Sequence, residues 1–508
     1  MSKRSVEVQL KEHAAKDPHL ITIPKVLVDL IEGQRDEQMH VYKIQEIIVQ
    51  QNHELKKGNN DFQEKKGLHD RNHSLDGKQS PEKNDSSQKD KTIHLKVGLF
   101  DEEVNYAINE TDHVMELSPA LMKKLCLMNG TICHAKYEDK SIRLGPVTGI
   151  FVSQSYTDKL FYKQKAKRRT MELMGANRDA HNILYFFSMS DVDFSNKKVI
   201  GTYYDDHEKR WKRREFPFPD VLYDRGSGRP NSRLPKQAFR MKLETETPIK
   251  KINAQHYFDK WDLYYKLSQY PEMRPYLPFT ILYQNPQDLQ AFRGTNKVYV
   301  KKCVSSNGRR IMRVERKSPS RFDYSYYTTK LVVGTKRNIR DVAHLIEHKF
   351  GREQVIVQRA IDLPTIDGSN IDMRATVQRD GEGKLDVTAV AVRVGGKGCP
   401  VTSTRTGAKC YRFEDFYKTY YGYSNRQVKK LRKRVDDFLK KVYHYTEKAY
   451  GAFGEIGIDF AFDKQGNIWF IECNAKPAKS ALHRSYDRET IRKAFVYPLE
   501  YAKYITGF

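Results

Sequence analysis

Oxygen-bearing side chains recur near the C-terminus at a spacing suited to gripping a divalent cation. Gly457-Ile458-Asp459-Phe460-Ala461-Phe462 and Ile468-Trp469-Phe470-Ile471-Glu472-Cys473-Asn474 are apolar-rich, strand-like runs. The polar turn Asp463-Lys464-Gln465-Gly466-Asn467 joins them, which is the pattern of a β-hairpin. Alternation along a strand puts Glu472 and Asn474 on one face, and Asp459 on the neighbouring strand can join them. Two carboxylates and an amide are hard donors of the kind Mg2+ takes, with phosphate oxygens completing its shell. The plainer alternative is an amphipathic hairpin whose acids face water.

A second chemistry-bearing hairpin lies upstream. Lys297-Val298-Tyr299-Val300-Lys301-Lys302-Cys303 reads as a strand, Ser305-Ser306-Asn307-Gly308 as a turn, and Arg310-Ile311-Met312-Arg313-Val314 as the return. A small loop between strands lets backbone N–H groups close over phosphates, while a strand lysine supplies a point charge. Ordinary hairpins share this pattern. In Ile371-Asp372-Met373-Arg374-Ala375, Asp372 and Arg374 share a face; the alternative is a surface ion pair. Arg393 sits in the apolar run Thr388-Ala389-Val390-Ala391-Val392-Arg393-Val394, where a charge needs a partner. Val355-Ile356-Val357-Gln358 is a strand that ends in Arg359-Ala360-Ile361.

The elements that must position these residues follow from periodicity. Asn338 to Phe350 carries a helical stripe ending at Gly351, and a long helix spans 425–450, with Val428, Leu431, Val435, Phe438, Leu439 and Val442 on one face. Upstream, Ser118-Pro119 opens a short helix. Ile93 to Phe100, Leu144 to Val152, Asn182 to Phe187 and Lys198 to Gly201 read as strands. Asp224 and Arg225 follow a buried strand at a position that can open onto a site. Residues 1–54 carry short helical patterns, one starting at Pro24 and one through Val41, Ile44, Ile47 and Ile48, and form an N-terminal helical appendage. Residues 55–92 are too polar to offset their ordering entropy and are expected to be a disordered linker.

Composition sets outer limits. The chain has 508 residues, 39% hydrophobic, which suffices for two or three domains. Its net charge of +26 implies an anionic partner without choosing one. The six cysteines form no C-x-x-C pair, no apolar run approaches a membrane span, and no signal-peptide core opens the chain, so a reduced, cytoplasmic protein is expected. A nucleic-acid-binding role has only the charge and the tyrosines behind it, with no recognition helix or RNP-like strand.

Taken in order, these motifs resemble the YheC/YheD-like (endospore coat-associated) branch of the ATP-grasp superfamily. The resemblance runs over residues 93–508 and includes Gly145-Pro146-Val147-Thr148-Gly149-Ile150 and the stretch from Trp211 to Arg225. It implies an α/β (α+β) chain: a small β-rich domain at 93–150, a pre-ATP-grasp α/β domain at 151–250 and an ATP-grasp domain at 251–508. It also implies ATP and Mg2+ as cofactors, and carboxylate activation through an acyl-phosphate that an amine or similar nucleophile attacks. Lys301 matches the ATP-phosphate lysine, and Ser306, Asn307 and Gly308 the phosphate-covering loop. Gln358 orders the hinge, where Arg359, Ala360 and Ile361 read adenine. Asp372 fixes the nucleotide site, Arg374 and Arg393 meet phosphoryl oxygens, and Asp459, Glu472 and Asn474 hold the metal. The substrates, a carboxylate and an amine, include a peptide or a spore-coat component among the candidates, and a spore-coat location is implied. Three departures stand out: Lys301-Lys302 replaces Lys-Pro, Gly308-Arg309-Arg310 replaces Gly-x-Gly, and Gly407-Ala408 replaces paired glycines. A coat protein that kept the fold and lost turnover therefore stays open beside the ligase.

Overall fold

A computed structural model describes residues 5–12, 18–31, 92–109, 113–226, 235–292, 294–304, 311–399, 401–402 and 407–508. Four sheets organise them.

The first sheet closes into a barrel in which Ser5–Glu12, Val114–Leu117, Leu20–Pro24, Phe100–Asn109, Thr92–Val97, Ser141–Gly145 and Ile132–Glu138 follow one another. Ser5–Glu12 closes it, parallel to Val114–Leu117 and antiparallel to Ile132–Glu138. Ile21, Ile23, Leu95, Val97, Met115 and Leu117 fill the interior. Here the expected helical appendage is corrected. Val6, Val8 and Leu10 alternate with polar residues, as do Leu20 to Ile23, and that period of two wins once partner strands are available. Among the described residues of this region, only Lys25–Ile31 is helical, directly after Pro24. The expected helix through Val41 to Ile48, and all of the expected linker except Thr92, lie outside the described residues.

The chain leaves the barrel at Gly145–Pro146 and enters the second sheet with Val147–Phe151. Ile183–Phe187, Val147–Phe151 and Val221–Asp224 run parallel there, the first two buried throughout. Such continuous apolar runs are what a sheet covered on both faces requires. Arg168–Ala180 packs Leu173, Ala176 and Ala180 against Ala494, Phe495 and Leu499 of the C-terminal helix Arg488–Thr506. That contact ties the first half of the chain to the last.

The remaining two sheets are antiparallel. One has the order Thr280–Tyr283, Val355–Arg359, Lys297–Lys302, Ile311–Ser318, Arg321–Tyr327, Leu331–Lys336. The helix Ile339–Phe350 backs it with Val342, Ile346 and Phe350, capped by Asn338 and Gly351. The other has the order Lys409–Arg412, Leu385–Val394, Ser369–Arg379, Glu455–Phe462, Ile468–Asn474. The helix Asn425–Tyr450 lays Val435, Phe438, Leu439 and Val442 against it and starts with a Ser424/Gln427 capping box. Its far side carries exposed Lys429, Lys430 and Lys433. No described helix is long and apolar enough to cross a membrane.

Candidate functional site

The C-terminal hairpin is built as its sequence predicts. In its turn, the Asp463 carboxylate accepts from the backbone N–H groups of Gln465 and Asn467, the Asn467 amide and the Trp469 indole. Such a network fixes the turn and with it the register. Asp459 pairs with Glu472 and Gly457 with Asn474. Asp459, Glu472 and Asn474 therefore share a face, while Ile458, Phe460 and Cys473 point into the core. Gly457 is needed there, because a Cβ at that position would meet the Pro477 ring at 3.0 Å, closer than ordinary packing allows. The turn that follows Asn474 can thus fold back over the strand.

The next two strands extend this row. Arg374 is opposite Asp459, and Asp372 is opposite Arg393. Arg374 makes a two-pronged pair with Asp459, its Nη2 lying 2.7 Å from Oδ2. Arg393 donates to both oxygens of Asp372, at 2.6 and 2.7 Å, and to Asp459 Oδ2 at 3.1 Å. The Thr402 hydroxyl donates to Asp372 as well. Burial works against the Asp459 charge, but Arg374 and Arg393 prevail and hold its pKa below the usual carboxylate range. Arg393 is pushed up, since its two acids outweigh burial. The ion pair foreseen at this face is a buried, three-strand network.

Glu472 is less committed. Lys260 Nζ is 3.5 Å from Oε2, Arg374 Nη2 is 4.0 Å from Oε1, and the Asn474 amide donates to Oε1 at 3.4 Å. Among the described residues no group of three His, Cys, Asp or Glu converges on a metal position. The third donor here is the Asn474 amide oxygen. Two carboxylates and one amide remain a fitting hard-oxygen set for Mg2+ whose other positions go to phosphate.

Across the cleft, Lys301 and Tyr299 face the same way as Gln358. Lys301 Nζ donates to Gln358 Oε1 at 2.6 Å, and the Gln358 amide donates to Thr280 Oγ1 at 2.8 Å. Gln358 is thus held from both sides. Burial pulls the Lys301 pKa down to about 8. Lys302 points the other way, away from the cleft lining, and pairs with Glu353. The Lys-Pro departure is therefore a structural ion pair, separate from the site. Arg359 and Ile361 line the cleft, while the Ala360 N–H is already donated to the Lys297 carbonyl at 3.0 Å. Ser306, Asn307 and Gly308 lie outside the described residues, as does Arg310.

These walls enclose a cleft of about 610 Å3 that also reaches the second sheet. Lys301, Gln358, Asp372, Arg374, Arg393, Asp459, Glu472 and Asn474 all line it. So do Arg169, Arg225, Lys476 and Lys479. Of these, Arg225 carried a signal in sequence as the residue after a buried strand, and Lys476 as the start of the Lys-Pro turn after Asn474; Arg169 and Lys479 carried none. Lys260 was also missed; its signal is Asp259, which caps the helix Lys260–Ser268 by accepting from the N–H groups of Trp261 and Asp262.

Residues 248–505, half of the chain, match the family described as YheC/D like ATP-grasp. Two relatives come from Bacillus subtilis (strain 168). The endospore coat-associated protein YheD is 25% identical over 403 residues, covering 77% of this chain and 85% of its own length. The endospore coat-associated protein YheC is 20% identical over 324 residues, covering 63% and 87%. Solved structures with a similar chain path include D-alanyl-alanine synthetase A from Vibrio cholerae O1 biovar eltor str. N16961, at 14% identity and a TM-score of 0.37 over 70% of this chain and 99% of that one. VanG D-Ala:D-Ser ligase from Enterococcus faecalis is another, at 13% identity and a TM-score of 0.40 over 70% and 98%. With half its length matched, the chain belongs to the YheC/D-like ATP-grasp family.

Proposed function

We propose that the protein is an ATP- and Mg2+-dependent ligase that activates a carboxylate as an acyl-phosphate for attack by an amine or similar nucleophile. One observation carries this reading: the oxygen row Asp459, Glu472, Asn474 and the buried Lys301 line a single cleft from separate sheets. A carboxylate oxygen attacks the γ-phosphorus, the bond from that phosphorus to the β-bridging oxygen breaks, and ADP leaves. The nucleophile then attacks the carbonyl carbon, loses its proton, and inorganic phosphate departs. Mg2+ held by Asp459, Glu472 and Asn474 would neutralise β- and γ-phosphate charge during transfer. Lys301 supplies a fixed cation on the phosphate side, held by Gln358. Arg393 is pre-aimed by Asp372, so it needs little reorganisation when phosphoryl charge arrives, whereas Arg374 leaves Asp459 as that acid takes the metal and turns to the same oxygens. Gln358, Arg359 and Ile361 sit where an adenine edge would lie, beside the strand end of Val355–Arg359.

The names of the two Bacillus relatives support a spore-coat association in a spore-forming bacterium. Fractionation of spores, followed by detection of the chain in the coat extract or in the cell cytoplasm, tests that location. For the reaction, the protein is incubated with ATP, Mg2+ and a panel of amino acids and short peptides. The expected result is ADP, phosphate and a product one water lighter than its summed reactants, all lost in Glu472→Gln. ADP release that ignores every carboxylate, or a product that persists in Glu472→Gln, overturns the reading.

A further inference from the structure

The wall of the cleft formed by the second sheet holds more cationic charge than its acids can balance. Glu455 is fully buried and accepts from Arg225 Nη1 at 2.9 Å, Lys479 Nζ at 2.6 Å and the Tyr223 hydroxyl at 2.6 Å. One acid thus serves two cations whose side chains are only 7% and 2% exposed. Arg225 also donates to the Pro477 carbonyl at 3.1 Å, which fixes its direction. Lys476 donates to the Gly226 carbonyl and has no acid partner within ion-pair distance among the described residues. Asp224, the nearest other acid, is already engaged by Arg240 at 2.6 Å.

Arg169 completes the set. It stands in the first turn of Arg168–Ala180 and faces Arg225, Tyr223 and Tyr156, and no described residue pairs or hydrogen-bonds with it. Burial, then Arg225, holds its pKa below the usual guanidinium value. Arg169, Arg225, Lys476 and Lys479 against Glu455 leave three cations uncompensated in a desolvated corner. Uncompensated charge at such a place is costly. Strand end, helix start and the turn after Asn474 converge to build it, and an entering anion offsets the cost.

We infer that this corner is the substrate subsite, and that the substrate carries at least one oxyanion group beyond the carboxylate that is activated. A lone carboxylate would neutralise one of the three surplus charges, and Lys301, Arg374 and Arg393 already serve the nucleotide side. The guanidinium forks of Arg169 and Arg225 suit the planar, two-oxygen edge of a second carboxylate or the face of a phosphate. This assignment rests on the ligase reading for its reacting carboxylate, while the anion subsite itself stands on the cation cluster.

The test is a calorimetric titration of the whole protein without nucleotide, at low salt and near neutral pH. The probes are butyrate, glutarate, propane-1,2,3-tricarboxylate and 3-phosphonopropionate, with Mg-ADP titrated separately. Glutarate or 3-phosphonopropionate is expected to bind at least about tenfold tighter than butyrate, with salt weakening the difference. Tighter glutarate or tricarboxylate identifies a second carboxylate; tighter 3-phosphonopropionate identifies a phosphate. Arg169→Gln is expected to remove most of that preference, and Arg169→Lys to retain part of it. Arg169 is half-buried and makes no described hydrogen bond, so neither variant should lower the thermal midpoint of the parent, and Arg169→Gln, which removes an unpaired charge, should raise it. Equal affinity for butyrate and the dianions, or a preference that survives Arg169→Gln, overturns the subsite. Dianion binding without any Mg-ADP binding sinks the ligase reading and leaves the subsite standing. Mg-ADP binding without dianion binding does the reverse.

Discussion

Lys301 makes nucleotide binding a proton-linked event. Without a bound phosphate, burial outweighs the pull of Glu472, Asp459 and Asp372 and brings its pKa to about 8, against an ordinary 10.5. A phosphate brought against the ammonium favours the charged form and restores a value near the ordinary one. The sign follows: below pH 8 the lysine is already protonated and affinity is flat. Above it, each bound nucleotide must first recover a proton. At about pH 9.3 only ~5% of the free protein carries that proton, against ~75% at about pH 7.5, so affinity for Mg-ADP should fall about fifteenfold, or ~1.6 kcal/mol.

Titration calorimetry reads this in two ways. The dissociation constant should climb with a slope approaching tenfold per pH unit above about 8. Near pH 8.5, comparison of two buffers with different ionisation enthalpies should show uptake of about three quarters of a proton per nucleotide bound. Lys301→Met removes the titrating group; its affinity should be low at neutral pH and without slope above it. A flat profile in the parent, or an unchanged slope in Lys301→Met, would show that the nucleotide phosphates do not meet this lysine.

Three further outcomes are expected. Glu472→Gln should lose Mg2+-dependent ADP formation while unfolding within about 1 kcal/mol of the parent in urea, because its ion-pair contacts with Lys260 and Arg374 are long and partly solvated. Glu455→Gln strips the only acid from between Arg225 and Lys479 and should cost about 3–5 kcal/mol in the same assay; a loss under about 1 kcal/mol would mean that solvent reaches that cluster. Phe460→Ala empties a fully buried position beneath Asp459 and should cost about 3–5 kcal/mol. It should also weaken Mg2+ dependence, since the strand that carries Asp459 loses its packing.

Local patterns were the legible part of this fold. The hairpin Glu455–Phe462/Ile468–Asn474 follows from approximate alternation and one turn, so the Glu472/Asn474 face could be read before any partner was known, although the bulge at Ile471 could not. The apolar stripes from Asn338 to Phe350 and over 425–450 announced their helices in the same way. Long-range pairing was not legible. Ser5–Glu12 alternates, yet its partners, Val114–Leu117 and Ile132–Glu138, lie far downstream, and a short alternating run without a visible hairpin reads poorly. The same reason hid the partners of Arg374 and Arg393. Alternation gave their face, but cross-strand register decided that Arg374 meets Asp459 and Arg393 meets Asp372.

The cations illustrate why counting charge could not find the substrate corner. With 90 Lys and Arg against 64 Asp and Glu, an excess exists almost everywhere along the chain. Folding assigns most of the nearby ones a purpose: Arg213 pairs with Asp158, Arg178 with Asp206, Arg240 with Asp224 and Lys302 with Glu353. What marks Arg169 is the lack of such a partner among the described residues at a half-buried place beside Arg225. A solvated excess is tolerated by hydration and tells nothing about ligands. A desolvated excess persists only where something outside the chain completes it. That distinction depends on burial, which no residue count contains, so nothing in the basic run Lys165 to Arg169 sets Arg169 apart in sequence.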